Sequence, residues 1–385
     1  MRSVPTTSLD FASPQVVADP YPFFAEERAR HALAWHEPSG RFVTFDHAAA
    51  GAVLRDRRFG RLWRDKQPLD VLEPFNLLHR NQMMENEPPH HARLRRPVAA
   101  AFNRGHIERL RPRVLEIAGK LLDAVDPASF DVLGDYAEPL PVLVIAELLG
   151  VPASYAPSLR DWSQAIVHMY EVVPSEAVVA AAVVAATDFA GLVRELVGER
   201  RLNPCDDLMS DLAATELTDD EVVAAVVLLL NAGHEASVNV FGNGLVAMLR
   251  RGLRPGPDVP VSVEEMLRFD SALQLFERTA TEDVEVAGVR VGAGQKIAVL
   301  LGAANRDPGV FDQPDVFDVS RDPNPHVAFG AGVHFCLGAP LARMELAESL
   351  AALWQRFPDL SLAGEPVSRG TFVLRGYRSV PVGSP

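Results

Sequence analysis

Cys336 stands in the stretch of this 385-residue chain that most invites chemistry. Gly330 and Gly332 precede it, Gly338 follows it, and Ala339-Pro340 opens an apolar, helix-forming run from Leu341 to Leu353. Proline is favoured in a helix's first turn, where its missing N–H costs nothing. The spacing therefore predicts a tight, glycine-shaped loop that sets Cys336 just ahead of a helix N-terminus. Free amides and the positive end of the helix dipole would point near the sulfur, which favours thiolate over thiol. Such a thiolate is either a nucleophile or a metal ligand. A nucleophile wants a histidine base in reach and a third group to orient it. His334 is two residues away, and on an extended loop it points the other way. A metal ligand needs no base. It needs backbone donors to temper the sulfur and room for a flat cofactor, and the glycines offer both.

Further residues ask for an explanation. Thr218 and Glu221 form a capping-box start for a helix running to about Arg250. Its run Val222–Leu230 is apolar all round, which marks a buried helix. Inside that helix Gly233 costs about 1 kcal/mol, and a carboxylate at Glu235 costs more unless paired. His91 and Arg95 lie four apart on a helix that starts after Pro88-Pro89, so they share a face that suits a carboxylate. The plainer reading of that pair is a solvated surface. Glu265 and Arg268 lie three apart on another helix, a common and weak pairing by itself.

The stretch from Phe329 to Arg343 resembles the haem-thiolate loop of the cytochrome P450 family. Phe329, Gly330, Gly332, His334, Cys336, Gly338, Leu341, Ala342 and Arg343 all stand at matching positions. The resemblance implies haem b, with Cys336 as the axial ligand of the iron and Phe329, Gly330, His334 and Gly338 shaping its bed. The family's Pro-Pro-x-His-x-x-x-Arg motif falls on Pro88, Pro89, His91 and Arg95, and His91, Arg95 and Arg278 would hold the haem propionates. The run Ala232-Gly-His-Glu-Ala-Ser237 resembles the distal oxygen-binding segment. Ala232 would lie against the haem, Gly233 would leave space for dioxygen, and Glu235 would belong to a proton path. The family's usual threonine is Ala236 here, followed by Ser237. Three readings stay open: Ser237 substitutes, the substrate's own hydroxyl or amine fills the gap, or the substrate is oxidised without oxygen insertion. Glu265, Arg268 and Arg321 would brace the scaffold behind the haem.

The elements that must position these residues read as mainly α with a smaller β-rich lobe, the cytochrome P450 fold, in one catalytic domain over residues 1–385. Short strands are expected at Ala34–His36 and Arg41–Phe45, and again over Val284–Val291 and Lys296–Leu301. Asp65 to Met84 reads as loop with a short helix. Ser271–Phe276 reads as a loop entering the pocket, and Phe372–Tyr377 as a last hairpin whose tip touches substrate. The helices Tyr155–Tyr170 and Ser175–Arg201 flank a lid resembling the family's, where Ile166, Met169, Tyr170 and Val173 are either pocket or plain core.

Composition narrows the partners. The net charge of −14 argues against nucleic acid. Yet Arg93, Arg95, Arg96, Arg104, Arg109, Arg111 and Arg113 crowd one region, either as a solvated face or as a docking patch for an acidic partner. Two cysteines, Cys205 and Cys336, fit a reducing compartment, with Cys205 read as a small apolar filler. The N-terminus lacks the apolar core of a signal peptide. The uninterrupted apolar runs are about half of the roughly 20 residues a bilayer needs. The expectation is a cytoplasmic monomer with no membrane contact. It would oxidise a mostly apolar small molecule, a natural-product intermediate, using dioxygen. Electrons would come from a ferredoxin and its NAD(P)H-dependent reductase. Oxidative ring closure or coupling, peroxide-driven oxidation, and a haem sensor without turnover are the alternatives.

Overall fold

The computed structural model describes residues 4–102, 104–170 and 174–384. Its centre is the helix Asp219–Leu249, started by the expected capping box. The Thr218 hydroxyl accepts from the Glu221 amide at 3.3 Å, and the Glu221 carboxylate accepts from the Thr218 amide at 2.9 Å. Because its run Val222–Leu230 is apolar on every side, the helix must be surrounded. Pro139–Leu149, Ala156–Val167, Glu176–Leu202, Leu69–Arg80, Val259–Phe269 and Ala339–Arg356 pack against it. Glu176–Leu202 and Asp219–Leu249 are each long and apolar enough to cross a membrane, more than the short apolar runs suggested. The most apolar window of the second is 72% buried inside the fold, as expected of a core helix.

The β-rich lobe is built on a six-stranded mixed sheet that joins the N-terminal segment to residues 275–300. Its order is Thr6–Thr7, Leu33–His36, Arg41–Thr44, Lys296–Leu300, Leu275–Ala280 and Phe59–Gly60. The N-terminal hairpin adds parallel to Lys296–Leu300, with Phe42 opposite Ile297 and Thr44 opposite Val299. Val284–Val286 and Val289–Val291 form a separate hairpin whose turn holds Ala287 and Gly288 at positive φ.

Three expectations need correction. Leu69–Arg80 is a full helix, with Leu72, Phe75, Leu78 and His79 buried at helical spacing; Pro74 inside it had masked the period. Leu275–Ala280 is a strand, so the expected loop ends at Gln274, which is fully buried. The tail stretch Phe372–Tyr377 does belong to a last hairpin, running from its turn into the second of the antiparallel strands Val367–Ser368 and Tyr377–Ser379. Phe372 turns toward the N-terminal lobe, 4.9 Å from the Phe11 ring. Cys205 is exposed and fills nothing. Val173 of the expected lid and the side chain of Arg104 lie outside the described residues.

Glu265 and Arg268 are both completely buried. Desolvating each ion costs several kcal/mol, and only a full set of bonds offsets it. Arg268 forks onto Glu265 through two bonds of 2.7 Å. It also donates to the carbonyls of Asn305, Pro314 and Val316. Glu265 further accepts from Arg321, from Asn324 and from the Asp318 amide. Replacing Arg268 with Ala strands a buried charge, so Arg268→Ala should lower the unfolding free energy by about 3–5 kcal/mol in a denaturant titration. A Glu265→Gln, Arg268→Met double variant, which removes both fully buried charges and leaves only the partly exposed Arg321, should lose less. Equal losses would refute this account of the cost.

Candidate functional site

The loop ahead of Ala339–Arg356 is built as the glycines implied. Gly330 and Gly332 sit at φ +67° and +73°, where side chains are strained. A Cβ on Gly332 would also fall 2.3 Å from the Leu54 carbonyl oxygen. The Cys336 amide donates to the Phe329 carbonyl at 3.0 Å, closing the loop. The Gly338 and Ala339 amides donate to the sulfur, as a helix start should allow. The thiolate expectation, however, is reversed in the chain by itself. Burial pushes the Cys336 thiol up, and this outweighs the two amides, Arg95 and Arg343, which draw it down. A cation at the sulfur changes that balance, because a coordinating thiol is deprotonated outright. His334 ends a short 3₁₀ turn and does not lie on extended backbone. Its Nε2 lies 2.7 Å from the Glu87 carboxylate, so it is committed there and is no base for the sulfur.

Four basic side chains named from the sequence come together beside this loop. His91 and His334 meet ring to ring at 4.6 Å. Arg95 donates to the Phe335 carbonyl at 2.7 Å. Arg278 is buried, with its guanidinium 4.4 Å from the Phe276 ring, and burial, aided by Arg61, lowers it to about 9. Arg61 was not foreseen; it lies over the same ring at 4.5 Å and pairs with Glu85. Glu87 was not foreseen either. Burial raises its pKa, but the bonds from His334 and the Arg61 amide hold the net value below the usual range. Among the described residues, the buried His91 Nε2 has no partner.

Across the long helix the exposure pattern marks an opening. From Glu221 to Met248 every residue is buried except Ala232, Gly233 and Ala236. Positions i, i+1 and i+4 lie on one side of a helix. A Cβ on Gly233 would meet Ile145 at an ordinary 3.5 Å, so that neighbour does not demand glycine. Ser237 is buried and lies just past the opening. Glu235 is 3% exposed and accepts from Arg369 at 2.8 Å, a partner on the C-terminal hairpin that no sequence signal marked. His234 is 1% exposed, with its ring nitrogens 3.8 Å from Glu235 and 3.9 Å from Glu138.

This donor set suits a haem. A sulfur on a glycine loop, a row of cations at one edge with an orphaned His91 nitrogen, and an apolar opening in a buried helix answer its metal, its propionates and its flat face. Near the opening, Ile166 and Tyr170 line a small space of about 10 Å³ with Asn231, while Met169 is buried core. The His79 Nδ1 donates to the Phe75 carbonyl at 2.8 Å, which leaves Nε2 to accept from the Tyr170 hydroxyl at 2.9 Å.

Burial pushes both His79 and His234 down to about 4. The unfolded chain binds protons on these rings near pH 6.5, while the folded chain does not until about pH 4. Stability should therefore fall as pH drops from about 6.5 to about 4. Melting temperatures across that window should slope less in a His79→Asn, His234→Gln double variant; an unchanged slope would refute the assignment.

The cytochrome P450 family model matches residues 259–366. The biotin biosynthesis cytochrome P450 of Bacillus subtilis (strain 168) is 35% identical, over 98% of this chain and 99% of its own. Nocardicin C N-oxygenase of Nocardia uniformis subsp. tsuyamanensis is 40% identical, over 99% and 100%. Among solved structures, P450BioI in complex with hexadec-9Z-enoic acid ligated acyl carrier protein superposes with a TM-score of 0.92 at 32% identity, over 96% of this chain and 100% of that one. With the thiol loop, the cationic edge and the open helix face in one fold, and relatives matched from end to end, the chain belongs to the cytochrome P450 family and is a haem-dependent monooxygenase.

Proposed function

We propose that this chain oxidises a mostly apolar natural-product intermediate, with haem b held by Cys336. The observation that carries the reading is the opening at Ala232, Gly233 and Ala236 in a helix otherwise buried from Glu221 to Met248. Haem with a thiolate ligand supplies the oxidising power when bound. The rest falls to the chain. His91, Arg95 and Arg278 bind and orient the carboxylate edge of the cofactor. Phe329 and the loop glycines shape its proximal side, and Ala232 leaves its distal side clear. Glu235 presents Oε1, the oxygen that Arg369 leaves free, beside the opening, where it can pass a proton on. Relatives named for nocardicin C and for polyketide biosynthesis support a natural-product substrate.

Ala236 cannot donate a proton, and Ser237 is turned into the core beside the opening. Both facts favour a substrate hydroxyl or amine that completes the proton path over a protein hydroxyl. Electrons would arrive from a separate ferredoxin and its reductase, in the cytoplasm, to a monomer. Four of the expected docking arginines are engaged within the chain: Arg93 with Glu221, Arg95 with the Phe335 carbonyl, Arg111 with Glu108 and Glu348, and Arg113 with Glu116 and Glu147. Arg96 and Arg109 stay exposed and would carry the attraction for an acidic partner.

Two experiments test the reading. The reduced protein under carbon monoxide should show a red-shifted, thiolate-type absorption band that Cys336→Ala abolishes; a band surviving that change removes the ligand assignment. Ala236→Thr should leave product per NAD(P)H consumed within about twofold of wild type if the substrate supplies the hydroxyl. A gain of about tenfold or more, the size of a general-acid contribution, would sink the substrate-assisted route.

A further inference from the structure

The long helix buries a polar row that the site does not require. Asn231, Glu235, Asn239 and Asn243 follow at steps of four, about 6 Å apart along the axis and about 18 Å end to end. Their exposures are 8, 3, 1 and 2%. Among the described residues, Asn231 Oδ1, Glu235 Oε1, Asn243 Oδ1 and both polar atoms of the Asn239 carboxamide have no protein partner. Leaving a buried polar atom unpaired costs about 1–3 kcal/mol. Native proteins meet that cost with ordered water held by two to four polar groups. Val238, Val240 and Phe241 stand between members of the row and Leu245 follows it, all buried, so apolar residues fit this stretch of the helix. Four polar side chains in register on such a helix go against stability, which points to use.

The surroundings give the row two ends. Near the opening, Glu235 stands between Ala232 and Ala236 in sequence, with Oε2 taken by Arg369 and Oε1 free. At the middle, the backbone of Gly376 crosses so closely that a Cβ there would fall 2.1 Å from Asn239 Oδ1. At the far end, Asn243 Nδ2 donates to the carbonyls of Asp270 and Arg375, both at 3.1 Å. The side chains of those two residues pair with each other at 2.8 Å and are each 14% exposed, so the row ends close to solvent. His234 takes no part; its neighbours are Glu235 and Glu138.

We propose that Glu235, Asn239 and Asn243 line a file of bound water that carries protons from the Asp270–Arg375 end of the helix to the Glu235 carboxylate, with Asn231 closing the file on the pocket side. This rests on the haem-oxygenase reading of the site. A carboxamide neither gains nor loses a proton here. Its paired donor and acceptor keep the waters in line, each water passing a proton on and receiving one, until Glu235 takes it at Oε1. The chemistry class is proton supply to oxygen reduction, with electrons coming from the NAD(P)H-driven partner.

Asn239→Leu in the haem-loaded enzyme tests this, with Asn243→Leu as the second variant, farther from the opening. Asn239→Leu should keep the carbon monoxide band, hold or raise the melting temperature, and lower product per NAD(P)H by about tenfold. A high-resolution crystal structure of the wild type should show water within hydrogen-bond distance of the Asn239 carboxamide, and that of the variant should not. Unchanged coupling in both variants, or a wild-type carboxamide with no water beside it, overturns the proposal. A wild type with no thiolate-type band would instead overturn the reading beneath it.

Discussion

The site depends on a charge pair that never touches it. Glu265 and Arg268 are removed from water entirely, and each charge is matched by more than one partner. Arg268 ties down the carbonyl of Asn305, and the Asn305 side chain in turn accepts from the Val327 amide at 2.8 Å. Val327 leads directly into the glycine loop, where its carbonyl accepts from the Gly330 amide. The neighbouring Glu264 grips Arg343 and His326 from the same helix, and Arg343 lies over the Phe329 ring at 4.6 Å. One helix thus holds both sides of the cysteine loop. A buried ion pair is poor evidence of net stability, but it restricts which arrangements of the chain avoid stranding a charge.

The same logic of polar groups in apolar surroundings runs through the distal side. Glu235 in the core is tolerable because Arg369 reaches it from a hairpin more than a hundred residues away. The asparagines that follow keep unpartnered atoms, both polar atoms of Asn239 and the Oδ1 of Asn243, and polar atoms in that condition are met by water. The opening at Ala232, Gly233 and Ala236 is made by small side chains alone, so access to the helix face needs no break in the helix. Burial and small volume, more than backbone distortion, give this helix its working face.

The cysteine shows two physical effects in opposition. A helix start and nearby arginines favour the thiolate, while a poorly solvated position favours the thiol, and burial is the larger effect. On the proposed reading, the sulfur of this loop would become charged as a metal shares that charge. Ligand ionisation would then be coupled to cofactor binding.

What could be read in the chain alone were features set by local rules. The glycines at 330 and 332 announced positive φ, Thr218 and Glu221 announced a helix start, and an all-apolar run announced burial. Each depends on neighbours a few residues away, so spacing is enough. The sequence also placed His91, Arg95, Arg278 and Cys336 in one site, but only through resemblance; nothing local links residue 91 to residue 334. Tertiary structure decided the rest. Leu69–Arg80 hid behind Pro74, Arg369 found Glu235, Arg61 joined Arg278 over Phe276, and burial overruled the helix terminus at the sulfur. Those outcomes turn on which distant groups meet and how much water is left between them, and one-dimensional order does not encode either in any short pattern.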